Sequence, residues 1–190
     1  MDNTDFTLAT FVNTIFGDVP DSERVCLTLK TPDGWGNYPG TARNLARLVR
    51  PGERPWYVCL GTVEPQEDGY LVRNRDSIRC LYALVLDDVG TKVRPGAVCV
   101  APTWKIETSA GNYQYGYVLN PIEITPESEA HYEACQRGLA EAGLTDSGAR
   151  GTYRVVRVPG SLHRTGFVAR VTEWSPGRFW DLDELMGDLG

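Results

Sequence analysis

Apolar and polar positions along the chain alternate between helix-like and strand-like periods. Phe6 to Phe16 is mostly apolar and aromatic and predicts a short helix. Ala42 to Val49 has apolar residues near helical spacing and predicts another. A longer helix opens at Pro126, with Thr125 as its N-cap and Glu127 and Glu129 in its first turn, and stops at Gly143. The other patterned segments predict strands. Trp56 to Val63 is β-branched and aromatic and is bounded by Pro55 and Pro65. Leu81 to Leu86 is a continuous apolar run that ends at Asp87-Asp88, and Tyr113 to Leu119 alternates. Shorter strands are expected at Tyr70–Val72, Val98–Val100, Trp104–Thr108, Tyr153–Val158 and Phe167–Trp174. Thr31 to Gly40 is dense in turn residues and predicts a loop. Ser175 to Arg178 is a turn, and Phe179 begins the last element. Strands outnumber helices, so the expected class is α+β with a largely antiparallel sheet.

The 190 residues suit one domain, with a helical and loop part over 1–55 and a sheet over 56–185. No apolar run approaches the ~20 residues of a membrane span. The acidic, polar start lacks the pattern of a secretory signal. Five cysteines form no C-x-x-C pair, so neither a disulfide framework nor a cysteine zinc site has support; reduced, buried thiols point to the cytoplasm. Only His131 and His163 are present, which excludes a histidine-cluster mechanism. P-loop, dinucleotide-fold and hydrolase-elbow motifs are missing.

A net charge of −6 argues against a general nucleic-acid coat, but the charge is unevenly spread. Residues 121–146 hold six acids and one base, whereas 147–178 hold six arginines and one acid. Further arginines cluster at 43, 47, 50 and 54 and at 73, 75 and 79. Arginine suits bidentate contact with phosphate.

Chemistry-bearing residues fall in three segments. In LYALVLDDVGTK a hydrophobic strand delivers Asp87 and Asp88, oxygen ligands of the kind magnesium takes. Adjacent strand residues point to opposite faces, so the two acids share a site only if the strand breaks or bulges; Gly90 favours a break. In WKIETSAGNYQYGYVL, Tyr113, Tyr115 and Tyr117 share a face expected to serve packing, while Gln114 projects beside Gly116, where a ligand could approach. In TDSGARGTYRVVRVPGSLHRTG, Asp146 precedes Arg154 and Arg157, which a regular strand places on opposite faces, and His163 follows a Pro-Gly turn. Carboxylates, arginines and this histidine suit a nucleoside triphosphate.

In this order and at these separations, DD-x-GTK (87–92), ETS-x-GNYQ (107–114) and R-x-x-R-x-PGS-x-H (154–163) resemble the archaeo-eukaryotic primase superfamily. The likeness is to RepB-like primase and primase–polymerase domains of plasmids and phages, and RVTEWSPGRFW also fits their end. The resemblance covers about Trp56 to Leu185. It implies an RRM-like catalytic sheet with an additional N-terminal α/β unit, and Mg2+- or Mn2+-dependent joining of nucleotides on single-stranded DNA. It implies that Asp87, Asp88 and Asp146 hold metal and are catalytic, and that Gln114 stands where many relatives have a histidine. Arg154, Arg157 and His163 would hold the nucleotide, with Lys92 and Ser109 from the matching segments beside them. Relatives usually space the first two acids by one residue, and many have asparagine in place of His163. A replicative helicase is expected on another chain or a missing segment.

Two metals can stabilise the attacking and leaving oxygens of nucleotidyl transfer, while arginines neutralise the departing pyrophosphate. The arginines outside the three motifs (Arg43, Arg47, Arg50, Arg73 and Arg75) are expected to contact the template. The rival readings are a non-catalytic replication-initiator module that binds DNA, and a metal-dependent nuclease using the same acids.

Overall fold

The computed structural model describes residues 7–148 and 150–190; the Phe6 end of the first expected helix lies outside them. Over these described residues the fold is α+β, with four α-helices and one eight-stranded antiparallel sheet. The strands are β1 (Arg24–Thr31), β2 (Gly34–Gly40), β3 (Trp56–Val63), β4 (Ile78–Val89), β5 (Trp104–Ser109), β6 (Asn112–Glu123), β7 (Val155–Arg157) and β8 (Arg170–Trp174). The helices are α1 (Leu8–Phe16), α2 (Ala42–Leu48), α3 (Pro126–Glu141) and α4 (Leu182–Leu189). Strand order is β2-β1-β3-β4-β6-β5-β8, with β7 paired to β3 off this path.

The segment over 24–40 corrects the sequence reading. Thr31–Gly40 was expected as a loop, yet Gly34–Gly40 is β2, joined to β1 by a tight turn. Residues 1–55 therefore supply two strands of the sheet. As an edge strand, β2 tolerates its glycines and Pro39, which a central ladder would reject. Alternation of Val25, Leu27 and Leu29 was the available signal for β1. Residues 70–72 and 98–100 are not strands; Leu71, Val98 and Val100 pack as irregular chain against the cores.

Both sheet faces are covered. Phe11, Val12, Ile15 and Phe16 of α1 and Leu45 of α2 bury one face with Leu27, Trp56, Val58, Val85, Trp104 and Val118. Tyr132 and Leu139 of α3 and Leu185 of α4 bury the other, with Leu84, Leu86, Tyr115, Tyr117 and Leu119. The tyrosine stripe thus packs core, as the alternation predicts. Gly116 does not admit a ligand: the Trp104 indole lies across it, 1.9 Å from where a Cβ would stand.

The sheet forks between β3 and β4. Only Gly61–Val63 of β3 pair with β4, whereas Tyr57–Cys59 pair with β7. The end of β4 that carries the acids therefore leaves β3, and β7 enters beside it.

Candidate active site

A bulge places the two adjacent aspartates. Leu86 pairs with Tyr115 and Val89 with Tyr113, so β4 carries one residue more than β6 across this interval. Asp88 takes up the excess at φ 60°, the single positive φ outside glycine among the described residues. Aspartate enters this region more readily than most residues. The break expected at Gly90 thus falls two residues earlier, on the acid itself.

Two loops hold the bulge. Asp87 N–H donates to Thr145 Oγ1 at 3.0 Å, and Asp146 N–H donates to the Asp87 carbonyl at 3.3 Å, which brings the loop after α3 against β4. On the other side stands the β5–β6 hairpin. Glu107 Oε1 accepts the Gly111 N–H at 3.0 Å, and its other oxygen takes the Arg170 guanidinium. The Gly111 amide, with Arg170 second, holds the Glu107 carboxyl below its ordinary range despite burial. The hairpin then presents Asn112, whose Nδ2 donates to Asp88 Oδ1 at 2.9 Å and whose Oδ1 accepts from Thr91 Oγ1 at 2.7 Å. Asn112 and Glu107 organise the site and were not singled out from sequence; their place inside ETS-x-GNYQ was the available signal. A Cβ on Gly90 would stand 2.2 Å from the Gly111 carbonyl, so the first and second motifs meet backbone to backbone.

The three acids gather around cations. Lys92 Nζ lies 2.8 Å from Asp88 Oδ2 and 2.8 Å from Asp146 Oδ1. The hydrogen bonds to Asp146 and Asp88 push the lysine upward, and Lys92 holds Asp146 below the usual carboxylate range. Asp87 Oδ2 takes Arg154 Nη2 at 2.6 Å, while its Oδ1 accepts the Asp88 N–H at 2.9 Å. Asp88 and Asp146 thus converge on one positive centre, and Asp87 turns to a second. These hard oxygen donors suit magnesium or manganese, and the Lys92 ammonium marks a point where a cation is already favoured.

Of the two arginines that alternation places on opposite faces, Arg154 contacts Asp87 and Arg157 only feels its charge. β7 spans Val155–Arg157, and Arg154 just before it still accepts the Leu60 N–H of β3 on its carbonyl at 3.2 Å. Arg154 Nη1 is buried and has no hydrogen-bond partner among the described residues. Burial lowers the Arg157 guanidinium, with the Tyr57 ring and Asp87 acting against that shift. Arg157 donates to Tyr57 Oη at 2.7 Å, to Ser161 Oγ and to the Leu162 carbonyl, and its backbone N–H donates to Gln114 Oε1 at 3.1 Å. Buried Gln114 therefore ties β6 to β7 across the fork, with its carbonyl oxygen occupied.

Beside the fork lies a cleft of about 390 Å³ lined by Lys30, Pro55, Tyr57, Arg157, Leu162, His163 and Arg164. Four of these residues are basic. Desolvation first, then Arg157 and Arg164, lowers the His163 imidazole, so it is neutral at pH 7. Its Nδ1 lies 2.8 Å from Thr165 Oγ1. Ser109 sits apart from the cleft, at the hairpin tip paired with Asn112.

The expected template arginines divide. Arg43 and Arg47 are exposed on α2, and Arg50 is exposed within 3.8 Å of Glu53. Arg75 pairs with Glu129 at 2.9 Å and with Glu133, and Arg79 pairs with Glu64. Arg73 donates to the Tyr153 carbonyl and lies over Trp35.

The fold has solved counterparts. The cyanophage S-2L primase–polymerase AEP domain aligns with 96% of this chain and 97% of its own at a TM-score of 0.68. The chain has the fold of a primase catalytic domain. A second counterpart with this primase fold is the catalytic domain of primase RepB', solved with initiator DNA, over 96% of this chain and 93% of its own at a TM-score of 0.59. Identity is 16% in both cases, so the likeness is one of fold. No family model and no curated protein sequence matches the chain. Among the described residues no helix is long and apolar enough to cross a membrane.

Proposed function

We propose that this chain is a template-dependent nucleotidyltransferase, a DNA primase or primase–polymerase that joins nucleotides on single-stranded DNA during replication of a phage- or plasmid-like element. The observation that carries this reading is the meeting of Asp88 and Asp146 on Lys92, with the adjacent Asp87 held by Arg154 and a basic cleft lined by Arg157, His163 and Arg164 on the strand that follows Arg154 and the loop after it. Asp88 and Asp146 would hold a divalent metal, with Lys92 withdrawn from between them, and Asp87 would complete the acidic set. Bound there, Mg2+ or Mn2+ would supply Lewis-acid stabilisation of the attacking and leaving oxygens.

The protein groups have separate tasks. Asn112 orients Asp88, and the Thr145 hydroxyl fixes the backbone of Asp87. Arg154 Nη1 is a buried donor without an acceptor, a cost that a phosphate oxygen brought within its reach would relieve. Arg157, Arg164 and Lys30 give the cleft the positive field that a triphosphate needs, and neutral His163 can donate or accept a hydrogen bond there. Gln114 acts indirectly, by setting the position of Arg157.

The test is incubation with single-stranded DNA, labelled nucleotides and magnesium or manganese, with products sized on a gel. Products that extend with template length are expected. Asp88→Asn and Asp146→Asn should each lower incorporation at least ~100-fold, the scale of losing a main electrostatic stabiliser. Full incorporation in both variants overturns the reading. Loss of the strand in metal without nucleotides would make the site a nuclease, and metal-independent duplex binding without synthesis would make it an initiator module.

A further inference from the structure

A second group of metal-ligating side chains lies away from the acid cluster, between α3 and α4. His131 and Cys135 stand four residues apart on α3, one helical turn, and so share a face. Asp183 faces them from the first turn of α4. His131 Nε2 lies 2.7 Å from Asp183 Oδ1 and 3.9 Å from Cys135 Sγ, and the three ligand atoms all fall within 4.8 Å of one another. Cys135 also packs in the core between α3, α4 and the sheet, and His131 and Asp183 already pair across the two helices. Asp181 caps α4, accepting the N–H groups of Asp183 and Glu184, so the Asp183 carboxylate is not required there.

The geometry separates two chemistries. A Cys-His-Asp hydrolytic triad needs the thiol at one ring nitrogen and the carboxylate at the other. Here both approach Nε2, so the imidazole cannot relay a proton between them. Convergence of three lone pairs on one point is what a metal requires. With zinc bonds of about 2.0–2.3 Å, ligand atoms in a tetrahedron stand roughly 3.3–3.6 Å apart. The separations of 2.7 and 3.9 Å bracket that range, so small rotations of two exposed side chains bring them into it.

We propose that His131, Cys135 and Asp183 form a site for a zinc-class divalent cation that braces α3 against α4. One imidazole, one thiolate and one carboxylate make a borderline-soft set, unlike the all-oxygen acid cluster. Hard magnesium is rejected here, and zinc or cobalt is preferred. The fourth position faces solvent, because His131 and Asp183 are exposed, and takes water. Cys135 binds as thiolate, and its proton leaves to solvent. The brace reaches the active site through α3: Gln136 accepts the Gly151 N–H, and Glu129 accepts from Thr152, in the segment that delivers Arg154.

Cobalt(II) is the probe, because a thiolate ligand gives a charge-transfer band. The full chain carrying Asp88→Asn and Asp146→Asn is titrated, which removes the acid cluster as a competitor. One equivalent of cobalt, a thiolate-to-cobalt band, its displacement by zinc but not by magnesium, and a higher melting temperature with zinc are expected. Adding Cys135→Ser should abolish the band. His131→Gln and Asp183→Asn, exposed changes that leave the core intact, should each weaken binding at least ~10-fold, since even supporting residues of metal ligands cost that much. Absence of the band at saturating cobalt overturns the proposal. So does a band that survives Cys135→Ser, which would belong to the exposed Cys99, or an affinity unmoved by the two exposed changes.

Discussion

Asp88 combines two burdens, a left-handed backbone and a charge shared with Lys92. Asparagine tolerates the same backbone region, so Asp88→Asn should melt near the parent while losing incorporation; Asp88→Val should melt lower, because a β-branched residue is strained at this φ. Lys92 is a built-in counter-ion. Lys92→Met should tighten Mn2+ binding on the order of 10-fold, the scale of deleting one charge at hydrogen-bond distance from a solvated acid pair. A calorimetric Mn2+ titration checks this, and an unchanged affinity would remove Lys92 from the metal position. The same variant tests the pH behaviour. Asp146 is held below its ordinary 3.8, so its contribution to stability is complete above that pH and is lost as pH falls through the lower folded value. Lys92→Met should flatten that part of the acid unfolding profile.

Between elements, the site depends on contacts that join one hairpin or strand to the next. Gly90→Ala should be more damaging than its size implies, since the added Cβ meets the Gly111 carbonyl and φ is +97°. It should lower the melting temperature and reduce metal-dependent activity together, because it separates the first motif from Asn112. Gly116→Ala should destabilise without that link, because its Cβ meets the Trp104 ring in the core beneath α1. Glu107→Ala removes the acceptor of the Gly111 N–H and the partner of Arg170. A charged hydrogen bond of this kind contributes about 1.5–3 kcal/mol. For a domain of this size that corresponds to roughly 3–12 °C in melting temperature. Because the parent carboxyl is held below its ordinary 4.5, its stabilisation is present above that pH and fades as pH falls through the folded value; the variant should lack that share of acid sensitivity.

For the molecule as a whole, a charge of −6 requires that any DNA affinity arise from local patches. Arg75 and Arg79 already pair with acids, which leaves α2 and its following turn as the more open arginine surface. Each phosphate contact to a single strand contributes about −0.7 to the slope of log K against log salt, so a few contacts give roughly −2 to −4. Reversing the charges of Arg43, Arg47 and Arg50 should flatten this slope and weaken binding evenly across template sequences, while the nucleotide KM stays near the parent value. Fluorescence anisotropy over a salt series reads both effects. An unchanged slope would move the template path to the side of Trp35, which is exposed and flanked by Lys30 and Arg73.

Periodicity alone determined the long helix α3 with its Thr125 cap, the buried run of β4 and the packing role of the tyrosine stripe, because each is written in residues a few positions apart. The three motifs were legible for the same reason, as was the need for a break near Asp87-Asp88. Tertiary structure decided what those residues face. The bulge arises from a mismatch with β6, far away in sequence. Arg154 meets Asp87 because the β3–β7 pairing brings this segment beside the end of β4. Gly116 is filled by Trp104 from the neighbouring strand, and β2 is a strand because it has β1 to pair with. Lys92 meets Asp146 across more than fifty residues, and Cys135 meets Asp183 from another helix. Local pattern reports the burial and conformation of a segment, but the partners of a charge or ligand depend on chain pairings that no local window contains.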